Sequence, residues 1–182
     1  REQQTGRSGG NRALLFLYVP LLVPQIGFLF GLQLLLLNFN ASASWPALIF
    51  VHVVFVLPYV FLSLSAPWRA FDTRYEAIAA ALGTSPWRIF LRVRFPMLLR
   101  AILAAAAVGF AVSVGQYLPT LLIGSGRFST ITTEAVALGS GGNRRIIGIY
   151  AFVQMMLPFI GFLLASLLPA LFFRNRRAIK GL

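Results

Sequence analysis

The chain has 182 residues, of which 58% are hydrophobic and only 11% are charged. An ordinary soluble domain carries about 25% charged residues, so this composition argues against a soluble enzyme, a disordered chain or a collagen-like fibre. The net charge of +12 also occurs in nucleic-acid-binding proteins. Lys and Arg also collect in the cytoplasmic loops of membrane proteins, and the apolar content favours a membrane protein. We therefore expect no nucleic-acid partner.

The residue inventory offers little for metal or redox chemistry. The sequence contains no cysteine and a single histidine, His52, which excludes disulfides, Cys-ligated metals and a multi-histidine metal site within it. We therefore predict neither a metal nor another cofactor. Residues 1–12 are polar and Gly-rich and lack a signal-peptide cleavage pattern, so we interpret the sequence as a fragment that begins in a hydrophilic loop.

Four stretches are long and apolar enough to cross a bilayer, which requires roughly 20 mainly apolar residues in a helix. No strand-like alternation persists over about 10 residues, which disfavours a β-barrel. The sequence predicts an all-α, polytopic integral membrane helical bundle with about four transmembrane helices. The predicted spans are 13–37, 46–66, 97–119 and 146–173.

Prolines lie inside three of these spans, where each removes a helix hydrogen bond. Ordinary bending of a membrane helix and a moving hinge are the two interpretations that the sequence leaves open. The residues concerned are Pro20, Pro24, Pro58 and Pro158.

The basic residues predict an orientation. If the N-terminus is inside, 13 of the 16 Lys and Arg residues are cytoplasmic, and only Arg127, Arg144 and Arg145 lie outside. Because positive charge accumulates in cytoplasmic loops, both ends and the loop 67–96 are predicted to be cytoplasmic.

The basic loop 67–96 is predicted to contain two short helices. Thr73 and Glu76 have the spacing of a capping box, and the residues from Ala77 to Leu82 favour a helix. Gly83 is placed to end that helix as its C′ residue.

The second helix of the loop is predicted to start at Ser85, as the N-cap, with Pro86 at its first position. It continues to about Arg94, and Pro96 begins the next span. Small side chains on the first helix (Ala77, Ala79, Ala80 and Ala81) give a smooth surface that fits a groove. The arginines Arg88, Arg92 and Arg94 suit lipid phosphates or acidic residues of a partner, and an interfacial amphipathic helix pair on the lipid headgroups is the alternative.

The spacing of this loop resembles the EAA loop of permease subunits of binding-protein-dependent ABC importers. In that pattern Glu-Ala-Ala is followed by three residues, a Gly, nine residues and Ile-x-Leu-Pro. Here Gly83 is followed by nine residues and then by Val93-Arg94-Phe95-Pro96. Counted back from Gly83, the Glu position is Ala77, so Glu76 lies one residue early. It either makes a shifted contact or only caps the helix.

The resemblance implies that this segment is the cytoplasmic coupling loop on which ATPase subunits dock. The residues implicated are Glu76, Ala77, Ala79, Gly83, Pro86, Arg88 and Pro96. The sequence contains no G-x-x-x-x-G-K-[ST] phosphate-binding loop, so ATP hydrolysis is expected on a partner chain and this chain is not itself an enzyme.

Residues 115–124 and 130–138 also resemble the segment after that loop in fused permeases for thiamine, ferric iron and polyamines, with the thiamine permeases the most similar. The likeness implies that 1–182 is the C-terminal part of one permease domain in a bacterial inner membrane, serving thiamine or a related small solute. Besides the ATPases, it implies a periplasmic or extracellular solute-binding protein, a second permease half (fused or in a dimer) and membrane lipids as partners.

Polar residues inside the spans are few, and none is Asp or Glu. This absence argues against a secondary transporter, because such a transporter usually needs ionisable groups inside the membrane. Gln116 and Tyr117, near the outer end of the third span, are candidates for the translocation pathway, and helix cross-linking by hydrogen bonds is the alternative. His52 is predicted to be a packed helix histidine. A secondary transporter or channel subunit with an interfacial amphipathic loop remains the alternative function, and a membrane-embedded enzyme lacks a convincing set of catalytic groups.

Overall fold

A computed structural model describes residues 18–140 and 144–172. All regular elements in these ranges are helical, and no strand occurs in them, which confirms the predicted all-α class. A π-helical turn, Phe90–Arg94, joins the fourth and fifth helices. The helices are α1 (Gln25–Asn38), α2 (Trp45–Arg69), α3 (Arg74–Ala81), α4 (Pro86–Ile89), α5 (Phe95–Val114), α6 (Tyr117–Gly124), α7 (Ile131–Ser140) and α8 (Arg144–Phe172).

Three helices of the described ranges are long and apolar enough to cross a membrane. They are Trp45–Arg69, Pro86–Val114 and Arg145–Leu171, and they overlap three of the four predicted spans. Their length and composition fit the predicted polytopic membrane bundle. Pro58 and Pro158 lie inside continuous helices, so these prolines do not interrupt their spans.

The first predicted span, 13–37, is not one continuous helix in its described part. Residues 18–22 are helical, the chain bends at Val23 and Pro24, and α1 begins at Gln25. Pro24 has ψ 123°, which lies outside the helical region. As a proline it also has no N–H group that could donate a hydrogen bond to the carbonyl four residues earlier. The 14 residues of α1 extend about 21 Å at 1.5 Å per residue, which is less than the hydrocarbon core of about 30 Å.

The third predicted span, 97–119, has different ends in the structure. It does not begin at Pro96, because α4, the π-helical turn and α5 form one helix, Pro86–Val114. A π-helical turn is wider than an α-helical one, which relieves the clash of the proline ring with the carbonyl four residues before it. The helix ends at Val114, and α6 starts only at Tyr117.

The chain divides into two compact units. The first consists of the described residues up to Tyr59 together with Val112–Met156. Leu29 and Val51 are fully buried in its hydrophobic core, and Phe28 meets Phe55 edge-on with ring centroids 5.7 Å apart. The buried residues of this core are Leu29, Leu36, Ala47, Val51, Phe55 and Ile123.

The second unit consists of Val60–Ala111 and the described residues from Leu157 onward. It contains α3, α4 and the π-helical turn. Within it α8 approaches α5 closely, since a Cβ atom placed on Gly161 would lie 2.9 Å from Cδ1 of Phe110. A small residue at this position therefore permits the helix contact.

Candidate functional site

The turn after α3 is closed by backbone hydrogen bonds around Gly83. Gly83 N donates to Ala80 O at 2.9 Å, and Thr84 N donates to Ala79 O at 3.2 Å. Together with φ +76° at Gly83, these bonds form a Schellman motif. The prediction that Gly83 ends the helix is confirmed, and the positive φ explains why glycine suits the position.

The start of α3 differs from the predicted capping box. Thr73 has helical backbone angles, φ −67° and ψ −11°, and its side chain makes no capping hydrogen bond. Asp72 supplies the local bond instead, since its Oδ1 accepts from Arg74 N at 2.9 Å. The capping-box prediction is wrong because Thr73 already lies on the helical path, where its hydroxyl does not have the N-cap geometry.

Glu76 is paired with Arg94 inside the chain. Arg94 Nε lies 3.4 Å from Glu76 Oε1, and the two side chains are 24% and 27% exposed. The contact is electrostatic, since Arg94 Nε makes no hydrogen bond to the described residues. The guanidinium also lies over Trp68, 4.1 Å from the ring centroid, and 5.3 Å from that of Phe71. We call Trp68, Phe71, Glu76 and Arg94 the Arg94 cluster.

The sequence predicted that Arg94 binds lipid phosphates or acidic residues of a partner, and the structure instead shows it paired within the chain. The composition of the loop indicated that its acidic residues would pair with arginines, but not which arginine each would contact. Residues 67–96 contain five arginines and only two acidic residues, Asp72 and Glu76. Each carboxylate therefore has several possible partners, and only the folded geometry selects one of them.

The start of α4 has the predicted backbone but not the predicted side-chain cap. Ser85 is extended at ψ 150°, with Pro86 in the first turn, and the Ser85 side chain makes no capping hydrogen bond. Trp87 stacks on Phe90 with ring centroids 5.9 Å apart, while Ile89 is buried.

Large apolar side chains are exposed on α3 and α4. Tyr75, Ile78 and Leu82 follow one another at spacings of three and four residues, so they lie on one face of the helix. Their exposed fractions are 51%, 60% and 80%, and Trp87 on α4 is 69% exposed. We call these four residues the exposed apolar set. Exposed apolar surface of this kind is typical of interaction sites.

The other predicted residues of this loop differ in exposure. Ala77, Pro86 and Arg88 are exposed, whereas Ala79 and Pro96 are partly buried. The structure thus places α3, its terminal turn and α4 at the surface of the second unit. The sequence analysis missed the exposed apolar set, although apolar residues at helical spacing beside alanines gave a signal for it.

A polar cluster lies in the first unit around His52 of α2. His52 Nδ1 lies 3.1 Å from Ser113 Oγ, and Nε2 lies 3.1 Å from Thr120 Oγ1. Thr120 donates its hydroxyl to Gln116 O at 2.8 Å, so it accepts from His52 Nε2–H. His52 Nδ1 then accepts from Ser113, which fixes the neutral tautomer. His52 thus packs between helices, as predicted.

Gln116 belongs to the same cluster. It lies at the break between α5 and α6, it is 5% exposed, and its Nε2 donates to His52 O at 3.3 Å. Its Oε1 is buried and has no hydrogen-bond partner among the described residues. A buried acceptor without a partner is costly, so this oxygen is available to a donor from outside the described structure.

A cavity of about 410 Å³ lies beside Gln116 in the first unit. It is bounded by the bent segment from Pro20 to Gln25, by Phe55, Tyr59 and Val112, and by Gln116. Tyr117, the second predicted pathway residue, is partly buried and is not among these described lining residues. The structure therefore associates one of the two predicted residues with a cavity.

Comparisons with known proteins agree over most of the chain. A family model described as "Binding-protein-dependent transport system inner membrane component" matches residues 5–177. The inner membrane ABC transporter permease protein YnjC of Escherichia coli is 43% identical over 159 residues, which cover 87% of this chain and 31% of that protein. No solved structure matches the chain.

Two further relatives carry substrate names. The molybdenum transport system permease protein ModB of Mycobacterium bovis is 30% identical over 99 residues, covering 54% of this chain and 38% of ModB. The putrescine transport system permease protein PotI of Escherichia coli is 33% identical over 119 residues, covering 60% of this chain and 41% of PotI. The matched part of the chain thus spans well under half the length of each of these relatives.

Proposed function

The chain belongs to the family of binding-protein-dependent transport system inner membrane components, and from that membership we propose that it forms part of the permease subunit of an ABC importer. The observation that carries the proposal is the family match over residues 5–177. The long apolar helices support a multi-pass location in the bacterial inner membrane.

The surface formed by α3, its terminal turn and α4 is proposed as the docking site for an ATP-binding subunit. The exposed apolar set supplies large side chains that a partner can bury, and such side chains dominate the energy of protein interfaces. The Schellman turn at Gly83 fixes the course of the chain between the two helices. ATP hydrolysis is assigned to the partner, because this sequence has no phosphate-binding loop.

Gln116 is proposed to line the translocation pathway, with Tyr117 beside it. The support comes from the unpartnered Oε1 of Gln116 and from the neighbouring cavity of about 410 Å³, which is in the size range of small-molecule sites. Tyr117 remains a candidate only through its position next to Gln116 in the sequence.

The substrate is proposed to be thiamine or a related small solute. This rests on the resemblance of residues 115–124 and 130–138 to thiamine permeases. The relatives ModB and PotI are named for molybdenum and putrescine, so molybdate and putrescine are the competing candidates. A solute-binding protein, a second permease half and membrane lipids complete the proposed assembly.

Uptake by proteoliposomes tests this function. The intact protein is reconstituted with its ATP-binding subunit, and labelled thiamine, putrescine and molybdate are offered with the solute-binding protein outside. We expect uptake of one solute that requires both internal ATP and the binding protein. Uptake that continues without ATP and stops when ion gradients are dissipated would instead identify a secondary transporter.

A matched pair of tryptophan variants tests the docking surface. Trp87→Ala removes a member of the exposed apolar set, so we expect weaker co-purification of the ATP-binding subunit. Trp45→Ala removes a tryptophan of similar exposure, 64% against 69%, outside that surface and should leave co-purification unchanged. Equal effects of the two substitutions would refute docking on α3 and α4.

A further inference from the structure

The short helix α3 has no buried residue of its own. Burial of apolar surface therefore contributes little to its position, in contrast to α5, which buries Leu98 and Ala105. Besides the chain connections at its two ends, the ion pair of Glu76 with Arg94 links α3 to the helix Pro86–Val114.

Arg94 contacts several elements of the second unit with one side chain. Its guanidinium lies over Trp68 near the end of α2, and its Nε faces Glu76 on α3. The residue itself directly precedes α5. A displacement of α3 that moves Glu76 therefore acts on the helix Pro86–Val114 at the point where its π-helical turn meets α5.

The backbone at Arg94 adds a second observation. Arg94 is the last residue of the π-helical turn Phe90–Arg94, and such turns occur frequently at functional sites. An α-helix has 3.6 residues per turn, so removing the extra residue of the π-helical turn would rotate Arg94 by about 100° around the helix axis. The orientation of its side chain toward Glu76 and Trp68 thus depends on this turn.

We propose that Arg94 is a positioning residue that couples movement of α3 to α5, with Glu76 as its counter-ion and not as a contact for the ATP-binding subunit. The inference rests on the proposed function, because it requires a partner docked on α3. It also replaces the two roles that the sequence left open for Glu76, a shifted contact or a helix cap. The observed geometry gives Glu76 a third role inside the Arg94 cluster.

A double-mutant cycle tests the pairing. Glu76→Gln, Arg94→Gln and the double variant are made in the intact protein, assembled with its ATP-binding subunit in proteoliposomes. We expect each single substitution to cause a several-fold loss of solute transported per ATP hydrolysed, with the ATP-binding subunit still bound. The double variant should be no worse than the more affected single variant, because interacting residues give non-additive effects.

Two further variants serve as controls. Arg100→Gln removes an exposed arginine from α5, outside the Arg94 cluster, and should leave transport per ATP unchanged. Arg94→Lys keeps a cation near Trp68 and Glu76 and should recover part of the coupling. It also provides the test if Arg94→Gln does not insert into the membrane.

The outcomes separate this inference from the function on which it rests. Additive losses in the double variant, or release of the ATP-binding subunit by Glu76→Gln alone, would overturn the positioning role and leave the importer function intact. Failure of the unsubstituted protein to bind any ATP-binding subunit would overturn both. A loss confined to Arg100→Gln would also contradict the assignment.

Discussion

Hydrogen bonds connect His52, Ser113 and Thr120 in a definite order. Ser113 donates to His52, His52 donates to Thr120, and Thr120 donates to a backbone carbonyl. Each hydroxyl and each ring nitrogen therefore has a partner. Gln116 is different, since its amide nitrogen is bonded and its oxygen is not. Residues of one small cluster thus have different roles, His52 in packing and Gln116 as a free acceptor.

Substitutions at these two residues should separate stability from transport. His52→Leu removes two bonds between helical segments, each worth about 0.6 kcal/mol in a membrane protein, so we expect a lower melting temperature in detergent. Gln116→Leu removes one long hydrogen bond, to His52 O, together with the unpartnered oxygen. We therefore expect this variant to unfold at nearly the same temperature as the unsubstituted protein, while its uptake falls. Thermal unfolding and uptake are measured on both variants.

The opposite pattern would change the assignment. If Gln116→Leu lowers stability and uptake in parallel while the solute transported per ATP stays constant, Gln116 is a structural cross-link. It would then no longer be a pathway candidate.

At the scale of elements, the connection between α3 and α4 depends on backbone conformation more than on packing. The Cβ of a substituted residue at position 83 would meet no atom within 4 Å, so space is not limiting there. The cost of a side chain comes from φ +76°, which β-branched residues adopt poorly.

Substitutions at Gly83 should follow that conformational preference. Gly83→Asn should be mild, because Asn tolerates the left-handed region, whereas Gly83→Val should strain the turn by more than about 1 kcal/mol. We expect both variants to insert and Gly83→Val to weaken binding of the ATP-binding subunit and uptake. Co-purification and uptake, normalised to the amount in the membrane, provide the measurement. Equal activity of the two variants would exclude a dependence on the positive φ.

At the scale of the whole molecule, the positive charge is distributed unevenly along the sequence. The segment 67–96 alone contains five of the 16 basic residues, and the residues from 174 onward contain four more. If positive charge is retained in the cytoplasm, the loop with α3 and α4 faces the compartment where ATP is available. The orientation therefore has a direct bearing on the docking proposal.

Cysteine labelling tests this orientation. The chain contains no cysteine of its own, so single cysteines at Ser42, Ser85 and Ser129 of the intact protein can be compared directly. A membrane-impermeant thiol reagent applied from outside should label positions 42 and 129 and spare position 85. Labelling of position 85 from outside would invert the topology and exclude docking of a cytoplasmic ATP-binding subunit there.

Local sequence was enough to predict the helical class, three spans that overlap long apolar helices, and the glycine that ends α3. These properties follow from local composition, from hydropathy summed over about 20 residues and from the backbone preference of a single residue. The EAA-like spacing likewise led to the family that the later comparisons established.

The partner of each polar side chain and the positions at which the helices break are visible only in the folded chain. Glu76 had several arginines within reach in the sequence, and the fold places it beside Arg94, the last residue of the π-helical turn. Of the prolines inside predicted spans, Pro24 coincides with a break while Pro58 and Pro158 lie within continuous helices. A proline removes the same backbone donor at each position, so the residue type alone leaves open whether the helix bends or continues.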